Sequence, residues 1–277
     1  MPLLTAVQQN TRLVLIDDAR ISVTEWGEGS PVLLLHGNPD SGTMWEGIAQ
    51  RLGKSFRCIA PDLPGFGHSD VPTHYEPSLD GMAQFVERFL RAANVKAPID
   101  LIAHDFGGPF AFAWAVKHAP SVRRMVAMNT LFFSDYRWHF WARVWRTPVL
   151  GELSMAAMNR PMFAQELKRG SGRRMTQQHI DQTWALMTPR MKREVLRLYR
   201  ATDPADFKQW ESDFLALTTA KATLVIWGDK DLYISSRYAE RFNARKVVHL
   251  SDVGHWPPVE APAECAEIIS SFFSETP

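Results

Sequence analysis

Short apolar runs and helix-spaced apolar positions alternate along most of this chain. Residues 12–26 alternate apolar and polar around Asp17-Asp18, which predicts two short strands and a turn. Pro31-Val32-Leu33-Leu34-Leu35 is a continuous apolar run, the pattern of a strand buried on both faces. A helix is expected over about 43–52, and Phe56-Arg57-Cys58-Ile59-Ala60 predicts the next strand. Leu79, Met82, Phe85, Val86, Phe89 and Leu90 recur at helical spacing within 78–93. Strand 99–103 leads through Asp105 into an apolar helix of about 107–119, closed by Pro120, and Val122 to Met128 is another strand.

The alternation then breaks. From about Leu131 to Leu215 no buried strand is evident, and helical stretches rich in Trp, Met and Arg take over. Strand character returns at Ala222-Thr223-Leu224-Val225-Ile226-Trp227. It is followed by a helix (about 235–243), a strand (Lys246–Leu250) and a last helix (about 262–273). The pattern predicts an α/β fold with a mostly parallel sheet covered by helices on both faces. Residues 1–130 and 214–277 would form the core, and 131–213 an inserted helical cap.

Composition narrows the function. In 277 residues, 45% apolar and 22% charged, the chain can bury a sizeable core as one α/β domain with an insertion. A net charge of +1 makes no overall case for nucleic acid or a membrane as partner. The charge is uneven, however. Between Arg137 and Arg200 there are 13 Lys/Arg against 4 Asp/Glu, about +9, so the remainder is about −8. A solvated helical surface is the plain reading of this excess, and steering of an anionic substrate or partner toward the cleft is the sharper one. Only Cys58 and Cys265 occur, which gives no disulfide framework and suits a reducing compartment. The N-terminus carries no leader pattern, and no apolar run approaches the ~20 residues of a membrane span. A cytoplasmic monomer or homodimer acting on a small apolar organic molecule is expected, with no metal or organic cofactor.

The candidate chemistry centres on Asp105. Leu101-Ile102-Ala103-His104-Asp105-Phe106-Gly107-Gly108 is an apolar run, one reactive side chain and then glycines. That is the strand-turn-helix pattern of a nucleophile elbow, in which serine is usual. A carboxylate there attacks an electrophilic carbon and becomes an ester of the enzyme itself. Cleaving that ester requires a base, oriented by a third group. His139, His179, His249 and His255 lie downstream. The first two fall in the insertion and His249 inside a strand, whereas His255 follows a strand in Gly254-His255-Trp256, where catalytic groups collect in open α/β sheets. Asp229 and Asp231, after the preceding strand, are the candidate acids. The backbone N–H groups of Asn38 and Phe106 are the candidate oxyanion hole.

Together these residues resemble the α/β-hydrolase superfamily over nearly the whole chain. The carriers are His-Gly-x-Pro at 36–39, Asp-x-Pro-Gly-x-Gly-x-Ser at 62–69, the elbow at 103–107, Gly-x-x-Asp at 228–231 and Gly-His at 254–255. The resemblance favours Asp231 over Asp229 as the acid. His104-Asp105 followed by Gly-Gly resembles the aspartate-nucleophile branch, which holds haloalkane dehalogenases and epoxide hydrolases. For the former, the resemblance implies that the Asn38 amide binds departing halide. Phe106 stands where a second donor, Trp, is usual, so another donor such as Trp138, Trp141, Trp145 or Trp184 would be needed. For the latter it implies two cap tyrosines, of which only Tyr199 matches and Tyr136 lies early. Trp138, Trp141, Phe106 and Trp256 are expected pocket walls. A lactone-active enzyme with the same nucleophile, or a ligand-binding protein that keeps the fold, are the other readings.

Overall fold

The computed structural model describes residues 7–172 and 175–275; residues 1–6, part of the N-terminus read above as leaderless, lie outside the described residues. Strands β1 (Gln9–Ile16) and β2 (Ala19–Trp26) form a hairpin turned at Asp17. Each has eight residues, longer than the short strands predicted. The chain continues through β3 (Ser30–Leu35), α1 (Glu46–Leu52), β4 (Phe56–Pro61), α2 (Leu79–Ala92), β5 (Ile99–His104), α3 (Gly107–Lys117) and β6 (Val122–Met128). Helix α3 stops two residues short of the expected end. His118 leaves helical geometry at φ −126°, ψ 37°, and the chain goes on as a 3-10 turn, Ala119–Ser121.

Among the described residues, six α-helices separate β6 from β7: α4 (Phe140–Arg146), α5 (Leu150–Ala157), α6 (Arg160–Gly170), α7 (Gln177–Leu186), α8 (Pro189–Ala201) and α9 (Lys208–Ala220). The side chains of His139, Asn159, Thr176 and Thr188 cap α4, α6, α7 and α8 by accepting first-turn N–H groups, which explains the frequent breaks. Helix α9 runs across residue 213 and packs on α3. Strands β7 (Ala222–Gly228) and β8 (Lys246–Leu250) follow, then α10 (Pro257–Glu260) and α11 (Pro262–Glu275). The helix expected at 235–243 is a tighter 3-10 segment, Ser236–Phe242, ended by Asn243 at φ 48°.

The eight strands form one sheet in the order β1-β2-β4-β3-β5-β6-β7-β8. The two pairings made by β2 are antiparallel and the other five are parallel. The apolar runs of β3, β5 and β7 are buried almost throughout, as strands covered on both faces must be. From β3 the chain passes to β4 on one side and then returns to β5 on the other. The crevice beyond the carboxyl ends at such a reversal is where ligands bind in open α/β sheets.

Candidate active site

The loops leaving β3, β5, β6, β7 and β8 converge on this crevice. Asp105, one residue past β5, sits at φ 49°, in the left-handed region that costs an L-residue energy. Three bonds hold it there. Its N–H donates to the Asn129 carbonyl (3.2 Å), and its own carbonyl accepts from Gly108 N–H (3.0 Å) and Thr130 Oγ1 (2.6 Å). Two glycines are dictated by space. A Cβ on Gly107 would lie 2.1 Å from the Leu35 carbonyl oxygen, and one on Gly37 would lie 2.2 Å from Asp105 Oδ1.

The two carboxylate oxygens of Asp105 have different surroundings. Oδ1 accepts the Asn38 backbone N–H at 2.8 Å, and the Phe106 N–H also engages the carboxylate. Oδ2 lies 3.5 Å from His255 Nε2. On its other side, His255 Nδ1 donates to Asp231 Oδ2 at 2.8 Å. Asp231 is fixed in turn: Oδ1 accepts from Tyr233 N–H (2.7 Å) and Ile234 N–H (3.0 Å), and Oδ2 accepts from Asn129 Nδ2 (2.8 Å). Asp229 points elsewhere and meets His249 Nδ1 at 2.6 Å, near the surface. His179 is buried against Asp40, Nε2 to Oδ1 3.0 Å. Of the four candidate histidines, His255 alone bridges the elbow and an acid.

Electrostatics follow this arrangement. Burial disfavours the His255 cation, but Asp231 and Asp105 outweigh it and push its pKa up to about 10. Burial raises Asp105, yet its bond and charge interaction with His255 hold the carboxyl below the usual range. His104 goes the other way. Burial and the neighbouring His255 depress it to about 4, so it is neutral and its Nε2 donates to the His255 carbonyl at 2.6 Å.

Two supporting residues escape motif reading. Asn129, at φ 37°, donates to Asp231 and also exchanges hydrogen bonds with the Gly228 backbone (2.8 and 3.1 Å). Its one sequence signal is a polar residue directly past a buried strand. Glu260 is buried and accepts N–H bonds from Gly254, Trp256 and Gly172, on both sides of the histidine loop. Nothing in its sequence surroundings marks it.

A cleft opens above Asp105 and His255. Asn38, Phe106, Trp138, Trp141, Tyr199 and Trp256 all line it, as does Trp145, whereas Trp184 is absent from its walls and packs on Phe163. Trp138 stacks on Phe106 at 6.0 Å, and Tyr199 meets that ring edge-on at 4.8 Å. The indole N–H groups of Trp138, Trp145 and Trp256 are buried without a partner, as is Asn38 Oδ1. The Tyr199 hydroxyl sits against the Asn38 side chain, and burial together with the Asp105 charge keeps it protonated. Tyr136 also lines the cleft, but its hydroxyl is committed to the Tyr233 carbonyl at 3.0 Å. Among the described residues, no group of three or more His, Cys, Asp or Glu is placed to hold a metal ion.

Comparison with known proteins gives the family of the fold. Haloalkane dehalogenase 2 of Mycobacterium tuberculosis is 27% identical over 266 residues, 92% of this chain and 91% of that protein. A cis-3-alkyl-4-alkyloxetan-2-one decarboxylase of Xanthomonas campestris is 36% identical over 113 residues, 38% of each chain. The epoxide hydrolase CorEH shares the fold with a TM-score of 0.82 at 20% identity, over 97% of this chain and 99% of its own. The model of the alpha/beta hydrolase fold family matches residues 30–262, and the chain belongs to that family.

Proposed function

We propose that the protein is a hydrolase with Asp105 as nucleophile, His255 as base and Asp231 as the acid that orients it. The observation that carries this reading is the asymmetry of the Asp105 carboxylate: Oδ1 is tied to the Asn38 N–H at 2.8 Å, leaving Oδ2 on the side of His255. In the first step Oδ2 bonds to an sp³ carbon of the substrate as the carbon's bond to its leaving group breaks, and the leaving group takes that electron pair. In the second, His255 removes a proton from water as the water oxygen bonds to Asp105 Cγ. Negative charge collects on Oδ1, which already accepts the Asn38 N–H, with the Phe106 N–H also engaging the carboxylate. The Cγ–Oδ2 bond then breaks, His255 returns the proton, and an alcohol leaves carrying Oδ2. Residues 131–213 act as the cap, and no step calls for a metal or organic cofactor.

The leaving group is read as halide. Asn38 supplies one side-chain amide donor, and the unpaired indole N–H of Trp138, stacked on Phe106, supplies the second that Phe106 lacks. The dehalogenase named among the relatives supports this reading. Epoxide opening is the second reading, favoured by the protonated Tyr199 hydroxyl beside Asn38, which is placed to donate to an alkoxide. The test is a panel of haloalkanes, haloacids, epoxides and an oxetan-2-one, scored separately for halide, diol and ring-opened product. Halide release that is abolished in Asp105→Ala and reduced in Trp138→Phe is expected. Diol formation alone, lost in Tyr199→Phe, would replace halide by epoxide.

A further inference from the structure

The near-neutral net charge conceals an uneven surface. Helix α5 buries Gly151 and Met155, while Leu150 and Leu153 stand outside one turn apart at 54% and 61% exposure, with Val149 at 67% just before them; Glu152, also exposed, lies between the leucines and pairs with Arg200. Exposed apolar residues grouped together, rather than scattered singly, mark contact sites. Val149, Leu150 and Leu153 are grouped in this way. Helix α4 packs on α5 and adds Phe140, 59% exposed. Met162, in the first turn of α6, is both exposed and part of the cleft wall, and Ser154 and Met155 of α5 line the same cleft.

Cations frame it. Arg137 and Arg143 lie three residues to either side of Phe140 and are exposed. Among the described residues neither has a carboxylate partner, whereas Arg146, Arg160, Arg169 and Arg200 are each paired. We propose that this face docks on an anionic phospholipid surface. Phe140, Leu150 and Leu153 enter the boundary between headgroups and acyl chains, and Arg137 and Arg143 meet the phosphates. Peripheral binding of this kind sums buried apolar area and attraction of basic residues to anionic lipid. A second copy of the chain fits the face less well, since two-fold docking sets the same uncompensated arginines against each other. No helix of the described residues is long and apolar enough to cross a membrane, so the contact is superficial. Delivery of an apolar substrate from the lipid into the cleft is the consequence, and that clause rests on the proposed hydrolase function; the docking itself does not.

The test is co-sedimentation of the full chain with vesicles of phosphatidylcholine alone or mixed with phosphatidylglycerol. Binding to the anionic vesicles that weakens with salt is expected. The Leu150→Ser/Leu153→Ser and Arg137→Glu/Arg143→Glu variants should each bind about tenfold or more weakly, with wild-type melting temperature and wild-type turnover of a water-soluble substrate. Asp105→Ala should bind as wild type does, which separates failure of the chemistry from failure of the docking. Equal affinity for both vesicle types, no binding to either, or variants that bind like wild type would overturn the proposal. So would light scattering that shows a dimer dissociated by the leucine substitutions, which would give the face to a second copy.

Discussion

Asp105 and His255 share one charge pattern, and the proposed alkylation of Asp105 would change it. In the free protein, the imidazolium lies between two carboxylates and its pKa is raised to about 10. Once Asp105 becomes a neutral ester, one carboxylate is gone and burial counts for more. The His255 pKa then falls, and the ring becomes a base when one is needed. In single-turnover experiments, ester formation should therefore hold constant well into acid, because the Asp105 carboxyl is held below its usual range. Ester hydrolysis should fall with acid along a titration well below 10. Two coincident pH profiles would contradict this. The same shift bears on stability. A histidine raised in the folded state stabilises fully below the ordinary value of 6.5, and this contribution is lost as pH rises through about 10. Melting temperature should thus drop more steeply for wild type than for His255→Gln across that alkaline range. Asn129→Ala should leave Asp231 and the Gly228 backbone short of partners, costing about 1–3 kcal/mol in denaturant unfolding. At this scale the residues proposed as nucleophile and base could be singled out because each sits in a short local motif. Asn129 and Glu260 were not, since their roles arise from contacts across distant parts of the chain, 102 positions for Asn129 with Asp231 and 88 for Glu260 with Gly172.

Elements place these residues through tight joints. Strand β3 and helix α3 touch at Gly107, where any side chain meets the Leu35 carbonyl. Gly107→Ala should therefore lower the melting temperature sharply, as a clash with backbone cannot be relieved by a rotamer change. At the other end of the site, Glu260 on α10 grips the loop that carries His255 and also the Gly172 N–H beyond α6. Burial raises its pKa against the pull of those N–H groups and of His255. Glu260→Gln should reduce kcat about tenfold, or about 1.4 kcal/mol, with little change in KM and with slower ester hydrolysis than ester formation. An equal loss in both steps would assign Glu260 to general folding instead. The strands were readable because buried parallel strands must be continuously apolar, and the hairpin because alternation marks a half-buried pair. The 3-10 segment at Ser236–Phe242 was read as a helix, since apolar spacing alone does not distinguish a tight short coil from an α-helix.

The molecule as a whole combines an acidic remainder with a basic insertion that lies against the cleft. The two are joined near the site by the His179–Asp40 pair, α7 to the loop after β3. Burial lowers the His179 pKa, but the Asp40 charge and bond raise it overall, so this link weakens as pH rises through the raised value. The architecture followed from strand-helix alternation. The substrate did not, because it depends on which donors converge over Asp105, and Trp138, Tyr199 and Asn38 come from separate parts of the chain. Carboxylate attack underlies every reading of the leaving group, and the most direct test of it is intact-protein and peptide mass spectrometry of folded His255→Gln incubated with haloalkane or epoxide. The expected result is a stoichiometric alkyl adduct on Asp105 that wild type does not accumulate. Wild-type turnover of a substrate that leaves Asp105 unmodified in His255→Gln would contradict it.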